Sequence, residues 1–219
     1  MEKEANTIIG GADGPTSIFL AGKLSGEKPI KVPIKERIRQ FFYRCRRKRA
    51  EKRICANPHT LQEVLAYADK KYHIVEIPQT KRTYIEQYRS AKEGLIIMHK
   101  PELLGDLAEI TQPDVFNEES VKEMHRQIQL RSELAAKIPD HKMPMDFHIY
   151  EIRIEDGRME IEIDFIWDMF GMAYSGNKKT MKKMNKIAQE LYLYYGVSEE
   201  DIKNKTKRYS SLLTMLSSG

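Results

Sequence analysis

The chain lacks any apolar run long enough to cross a bilayer. Its longest weakly polar stretch, Ile8 to Gly22, carries Asp13 and falls short of the roughly 18 to 20 apolar residues a span requires. Charged residues make up 32% of the 219, and mean hydropathy is −0.58, so bulk membrane character is excluded. The 41% of hydrophobic residues still keeps the chain outside the disordered range and supports a real core. The start, Met1-Glu2-Lys3-Glu4, has neither the basic residues nor the apolar run of a secretory signal, and the expected location is cytoplasmic. Cysteine is scarce. Cys45 and Cys55, if both lie on one helix, are separated by roughly 15 Å at ~1.5 Å rise per residue, too far for a disulfide. A reducing compartment fits.

Catalytic signatures are also missing. His59, His73, His99, His125, His141 and His148 show no His-x-x-x-His spacing, and no Cys-x-x-Cys occurs, so no metal site is expected. There is no Gly-x-Ser-x-Gly elbow, no Walker loop and no dinucleotide Gly-x-Gly-x-x-Gly. No cofactor and no catalytic residue are expected, and the balance leans against an enzyme. Glu160, Glu162 and Asp164 alternate along one predicted strand. Paired carboxylates of this kind serve acid–base chemistry or hold a cation, but on a strand they read as a solvated face.

What is present is a charge asymmetry. Between Lys31 and Ile54 the local charge is +9, which leaves −4 on the rest of a chain whose formal net charge is +5. Ile34, Ile38, Phe41, Phe42 and Cys45 recur at helical spacing within this basic stretch. Pro29 and Pro33 precede it and Asn57-Pro58 follows. Three parts are therefore expected: a Gly-rich segment over 1–30, a basic amphipathic helix within 31–58, and an α+β domain over 59–219. Arg44, Arg46, Arg47, Lys48, Arg49, Lys52 and Arg53 form a dense candidate phosphate-binding set, with Phe41, Phe42 and Tyr43 available to stack on bases. An anionic membrane surface suits the same pattern. The plainer reading is a solvated helix whose aromatics enter the core, or one docked on Glu160, Glu162 and Asp164. Lys178, Lys179, Lys182, Lys183 and Lys186 read as the polar face of a later helix.

The predicted domain is α+β, with a central β-hairpin or small antiparallel sheet packed by amphipathic helices. Thr60 with Glu63 caps a helix through Tyr72, and His73–Ile77 reads as a short strand before Pro78. A helix over about 80–92 is expected to end at Gly94, followed by a buried strand Leu95–Met98. Ser120 with Glu123 predicts a cap for a helix that turns Val121, Met124, Ile128, Leu134 and Ile138 inward. Strands 147–154 and 159–167 flank a turn at Asp156-Gly157, and the first strand's shift of apolar parity suggests a bulge or a covered outer face. A helix with Met181, Met184, Ile187, Leu191 and Tyr194 ends at Gly196, and Ser198 starts a terminal helix. Met143, Met145, Met169 and Met172 join the two helix methionines as soft core.

Residues 7–20 read Thr-Ile-Ile-Gly-Gly-Ala-Asp-Gly-Pro-Thr-Ser-Ile-Phe-Leu. Gly10, Gly11, Asp13, Gly14, Pro15 and Thr16 lie within a run that resembles the Gly-Gly-Ala-Asp-Gly-Pro-Thr signature of the β subunit of sodium-translocating carboxylic acid decarboxylases. The resemblance implies that Asp13 corresponds to the family's sodium- and proton-linked aspartate, with Gly10, Gly11 and Gly14 as the unwound backbone around it. It covers about fourteen residues, and the family builds its ion path from many membrane spans that this chain does not contain. Read from the residues alone, Asp-Gly-Pro between two β-prone stretches is a hairpin turn.

The expected function is thus a soluble, non-enzymatic protein that binds a protein partner through the motif. The alternatives are nucleic-acid binding through the basic helix 34–54, and service as an accessory of a sodium-translocating decarboxylase complex, with peripheral rather than transmembrane attachment.

Overall fold

A computed structural model of the chain describes residues 5–9, 34–110 and 117–217. They form an α+β fold built on one antiparallel sheet. Its strands β1 (Ala5–Ile9), β2 (Val75–Glu76), β3 (Phe147–Ile154), β4 (Gly157–Asp164) and β5 (Met169–Gly176) lie in the order β1-β5-β4-β3-β2. Around it stand α1 (Ile34–Glu51), α2 (Leu61–Tyr72), α3 (Arg82–His99), α4 (Glu118–Lys137), α5 (Lys178–Tyr195), α6 (Glu199–Asn204) and α7 (Lys207–Ser217).

Both faces of the sheet are covered. On one, Ile152, Met159, Ile161, Ile163, Phe170, Met172 and Tyr174 pack against Val64 and Ala68 of α2, Met184, Ile187 and Leu191 of α5, and Leu212 and Leu213 of α7. On the other, Phe147, Ile149 and Met169 pack against Tyr84, Ala91, Leu95 and Ile96 of α3 and Ala135 at the end of α4. This explains the parity shift in β3. The strand pairs with β4 residue for residue from Phe147↔Asp164 to Ile154↔Gly157, with no bulge, and its apolar residues serve one core and then the other.

Several predicted ends are borne out. Thr60 and Glu63 make the reciprocal capping box of α2, and Ser198 with Asp201 makes that of α6. Gly196 caps α5 at φ 63°, where an added Cβ would sit 1.9 Å from the Asn57 carbonyl oxygen. The hairpin forms, but its two-residue loop is Glu155-Asp156 rather than the expected Asp156-Gly157, with Glu155 at φ 50° and Gly157 already in β4. Gly157 is needed for space rather than for turning, since a Cβ there would lie 2.4 Å from Thr180 Cγ2. The short strand after His73 is β2, extended by the Ile77 N–H donating to Ile149 O.

Other expectations are corrected. Residues 95–98 are helical, and Gly94 sits buried within α3. A four-residue apolar run does not distinguish a buried strand from a buried helix turn, and Tyr84, Ala91, Leu95 and Ile96 at helical spacing decide for helix. Pro101 then stops it. The strand expected to reach Trp167 ends at Asp164, whose carboxylate accepts the N–H groups of Ile166 and Trp167, each at 2.9 Å, and folds the chain into a turn. The alternating Phe170, Met172 and Tyr174 beyond it are β5. Helix α4 starts three residues early: Asn117 is the cap and Ser120 its N3 partner. Ile128 and Leu134 are exposed rather than inward. The terminal helix is broken at Lys205, in the left-handed region at φ 51°.

Candidate functional site

Gly10, Gly11, Asp13, Gly14, Pro15 and Thr16 lie outside the described residues. The chain leading to them is β1, which pairs with β5 and ends with Ile9 opposite Met172.

Helix α1 is where the sequence placed it, but four residues of its apolar stripe do not enter the core, while Cys45 is half-buried. Ile34, Ile38, Phe41 and Phe42 are 74%, 49%, 62% and 59% exposed. The helix instead packs on α7, with Ala50 6% exposed and part of the core. At 3.6 residues per turn, Ala50 lies roughly 140° around the axis from the middle of the apolar stripe. The docked side and the apolar side therefore face away from one another. Arg37, Arg44 and Lys48 border one edge of the stripe and Arg49 continues it two turns beyond Phe42, all four exposed. The Phe41 and Phe42 rings meet edge to face at 5.9 Å. Arg47 pairs with Glu51 at 3.7 Å, Arg46 is exposed, and Lys52 and Arg53 follow in the turn after the helix. The reading in which these aromatics are core is thereby corrected, as is docking on Glu160, Glu162 and Asp164. The helix contacts α7, and the acidic row lies beneath another helix.

That acidic row is not a solvated face. Glu160 is 5% exposed and Asp164 0%, because α3 and α4 cover the side of the sheet that alternation alone would leave wet. Gln87 of α3 donates to Glu160 Oε2 at 2.5 Å, while Glu160 Oε1 and Gln87 Oε1 have no hydrogen-bond partner; the Arg158 guanidinium stands 3.4 Å from Glu160 Oε1. Burial, with the neighbouring Glu160 charge, pushes the Glu162 carboxyl up to about 7. Burial also raises Asp164, against hydrogen bonds from the N–H groups of Trp167, Ile166 and Asp146. At the edge of the sheet, His148 bridges Glu76 at 2.6 Å and Asp146 at 3.1 Å. Burial opposes its charge, but these hydrogen bonds outweigh that and raise its pKa.

Sequence reasoning missed a cavity of about 190 Å³ at the seam of the two cores. It forms where the β4–β5 turn, the end of α3, the end of α5 and the first turn of α7 converge. Trp167, Phe170, Tyr192 and Tyr195 supply aromatic walls, and Asp168, Lys207 and Arg208 supply charge. His99 stacks on Trp167 with ring centroids 4.5 Å apart, and burial together with the Lys207 charge lowers its pKa. Arg208 lies 3.6 Å above the Tyr195 ring and donates to the carbonyls of Gly196, His59 and Tyr195 at 2.9, 2.7 and 2.6 Å. It thereby satisfies the end of α5 and joins three segments of chain. Asp168, at φ 47°, faces it at 3.4 Å. The only sign of this site in the sequence is the crowding of polar and aromatic residues in Ile166-Trp167-Asp168-Met169-Phe170, which a strand assignment conceals.

No protein-family model matches the sequence, and neither the curated proteins nor the solved structures contain a match. Among the described residues, no helix is long and apolar enough to cross a membrane and no cluster of three metal-ligating side chains occurs.

Proposed function

We propose that this is a peripheral binding protein whose helix α1 lies on an anionic phospholipid surface with its apolar stripe inserted. The observation that supports it is the direction of that stripe, which points away from the side docked on α7. Nucleic acid would satisfy the arginines and give Phe41 and Phe42 bases to stack on, but would leave Ile34 and Ile38 without apolar contact. A bilayer interface takes both kinds of residue. The apolar side chains enter the acyl boundary, each Å² removed from water contributing about 25 cal/mol, while Arg37, Arg44, Lys48 and Arg49 meet phosphates at on the order of 1 kcal/mol each.

The resemblance at residues 7–20 suits the same setting. Its family works within the membrane, and a chain resting on the bilayer would meet such a complex as an accessory, with Gly10, Gly11, Asp13, Gly14, Pro15 and Thr16 as the protein-binding segment. Capture of partners by the intact chain and not by an Asp13→Lys variant would support that second contact, and equal capture would refute it.

Flotation of the full chain with phosphatidylcholine vesicles, with and without phosphatidylglycerol, tests the first. Binding is expected only to the anionic vesicles, weakening but not vanishing at high salt. The double substitution Phe41→Ser, Phe42→Ser should abolish it without changing the melting temperature, because both rings are exposed. Failure to float at low salt, with salt-dependent binding to mixed-sequence DNA instead, would replace this reading with the nucleic-acid one.

A further inference from the structure

The edge of the sheet carries a device separate from the α1 surface. Strand β2 consists of Val75 and Glu76, both exposed. It is joined to β3 by the pairs Val75↔Glu151 and Glu76↔Tyr150 and by the Ile77 N–H, which donates to Ile149 O at 2.8 Å. A ladder this short contributes little by itself, and exposed edge segments are among the first parts of a fold to open.

One side chain ties β2 down. His148 of β3 places Nδ1 2.6 Å from Glu76 Oε1 and Nε2 3.1 Å from Asp146 Oδ1. Its ring is flanked by Phe165, edge-on at 5.5 Å between centroids, and by Tyr150 at 6.2 Å. A neutral imidazole has one N–H and one lone pair, so it donates to one carboxylate and turns its lone pair on the other; only the imidazolium donates to both. The geometry therefore selects the charged ring. Burial opposes that charge, and the hydrogen bonds to Glu76 and Asp146 outweigh it, holding the pKa above the ordinary 6.5.

The two carboxylates differ in freedom. Asp146 is fixed through its backbone, its N–H donating to Asp164 Oδ2 at 3.0 Å and its carbonyl accepting the Phe165 N–H at 3.1 Å, whereas Glu76 rides on β2. The charges acting on the ring are Glu76 from β2 and Asp146 from the segment before β3. The Tyr150 hydroxyl on the same strand and the Tyr84 hydroxyl of α3 feel these carboxylates too, but burial pushes both up, so they stay protonated at neutral pH. Glu162 pairs across the strands with Ile149 and not with His148, and so projects from the opposite face of the sheet.

We propose that His148 is a pH-operated latch: as imidazolium it clamps the edge strand β2 against the fixed corner at Asp146, and on losing its proton it lets β2 come away from β3. A pKa raised on folding means that the clamp is fully present below about pH 6.5 and is lost as the pH rises through the raised value. A charge-assisted bond then gives way to a neutral one roughly half as strong, and Glu76 and Asp146 face each other across a ring that no longer compensates them. Opening uncovers the main-chain groups of Ile149, Tyr150 and Glu151, an edge on which an extended segment could pair.

Hydrogen exchange of the full chain, followed by NMR at pH 6.0 and 8.5 with each amide corrected for its intrinsic rate, tests this at the Ile77 N–H beside the amides of the central strand β4. Ile77 is expected to exchange ahead of β4 at both pH values, and its protection to fall by about fivefold or more between them. In His148→Gln, which keeps Glu162 and cannot become charged, Ile77 should have low protection at pH 6.0 already and lack this fall. If that variant does not fold, Glu76→Gln at a half-exposed position replaces it, with the same expected outcome. An equal fall in wild type and a folded variant, no fall in wild type, or exchange of Ile77 in step with β4, which would mean that β2 opens only with the whole fold, would each overturn the proposal.

Discussion

Replacing Glu162 by Gln is expected to stabilise the protein, by a margin that opens as the pH rises above about 4.5, where the unfolded chain gives up the proton that the native carboxyl keeps. Glu162 shares its face of β4 with Glu160 and Asp164, pairs across the strands with Ile149 and Gly171, and is overlain by the layer that brings Gln87 onto Glu160. Its carboxyl rises from 4.5 to about 7 because burial penalises the charge and Glu160 adds to that penalty. A pKa raised on folding means that the native state holds the proton more tightly than the unfolded chain does. The contribution is therefore fully present below about pH 4.5 and is lost as the pH rises through about 7. At ~1.4 kcal/mol per pH unit of displacement, the loss amounts to about 3 kcal/mol. Glutamine keeps the shape and never ionises. Urea unfolding of the two proteins from pH 4 to 9 should show near equality at the acid end and an advantage for Glu162→Gln growing from about pH 4.5 to about 3 kcal/mol at pH 8.5. In thermal melts this corresponds to roughly 6–12 °C for a chain of this size. Because Glu160, Asp164 and Glu151 remain in both proteins, their titration largely cancels in the difference. Equal stability at pH 8.5, or an advantage that does not vary with pH, would refute the reasoning.

Gly196→Ala forces a side chain into a left-handed position 1.9 Å from the Asn57 carbonyl oxygen and should cost on the order of 3 kcal/mol, read as a lower urea midpoint with an unchanged m-value. Asp164→Ala leaves the N–H groups of Asp146, Ile166 and Trp167 without their acceptor; at about 1 kcal/mol or more for each, destabilisation of about 3 kcal/mol is expected, with red-shifted Trp167 emission as the turn loosens. A blue-shifted or unchanged emission with native stability would show that the turn holds without Asp164.

The parts of this fold legible in the sequence are those governed by neighbours a few residues apart. Thr60 with Glu63 and Ser198 with Asp201 are capping boxes whose partners are three residues away, and Gly196 ends α5 at a φ of 63° that favours a residue without Cβ. The strict alternation from Met159 to Ile163 identified β4 and its buried face for the same reason. The α1 helix and its stripe were equally plain.

What sequence could not supply was which faces would be covered, because that depends on elements distant along the chain. Glu160, Glu162 and Asp164 carry the pattern of a wet strand face, and only the packing of α3 and α4 on that side buries Glu160 and Asp164 and half-buries Glu162. Ile34, Ile38, Phe41 and Phe42 carry the pattern of a core-facing stripe, and only the docking of α1 through Ala50 on α7 leaves them outside. The seam cavity belongs wholly to tertiary structure, since Leu95, Trp167, Tyr195 and Arg208 come from four elements and meet nowhere in sequence. Local chemistry determined where helices and strands begin and end; burial, a property of surfaces brought together from afar, decided which charges became unusual and which apolar face was left exposed.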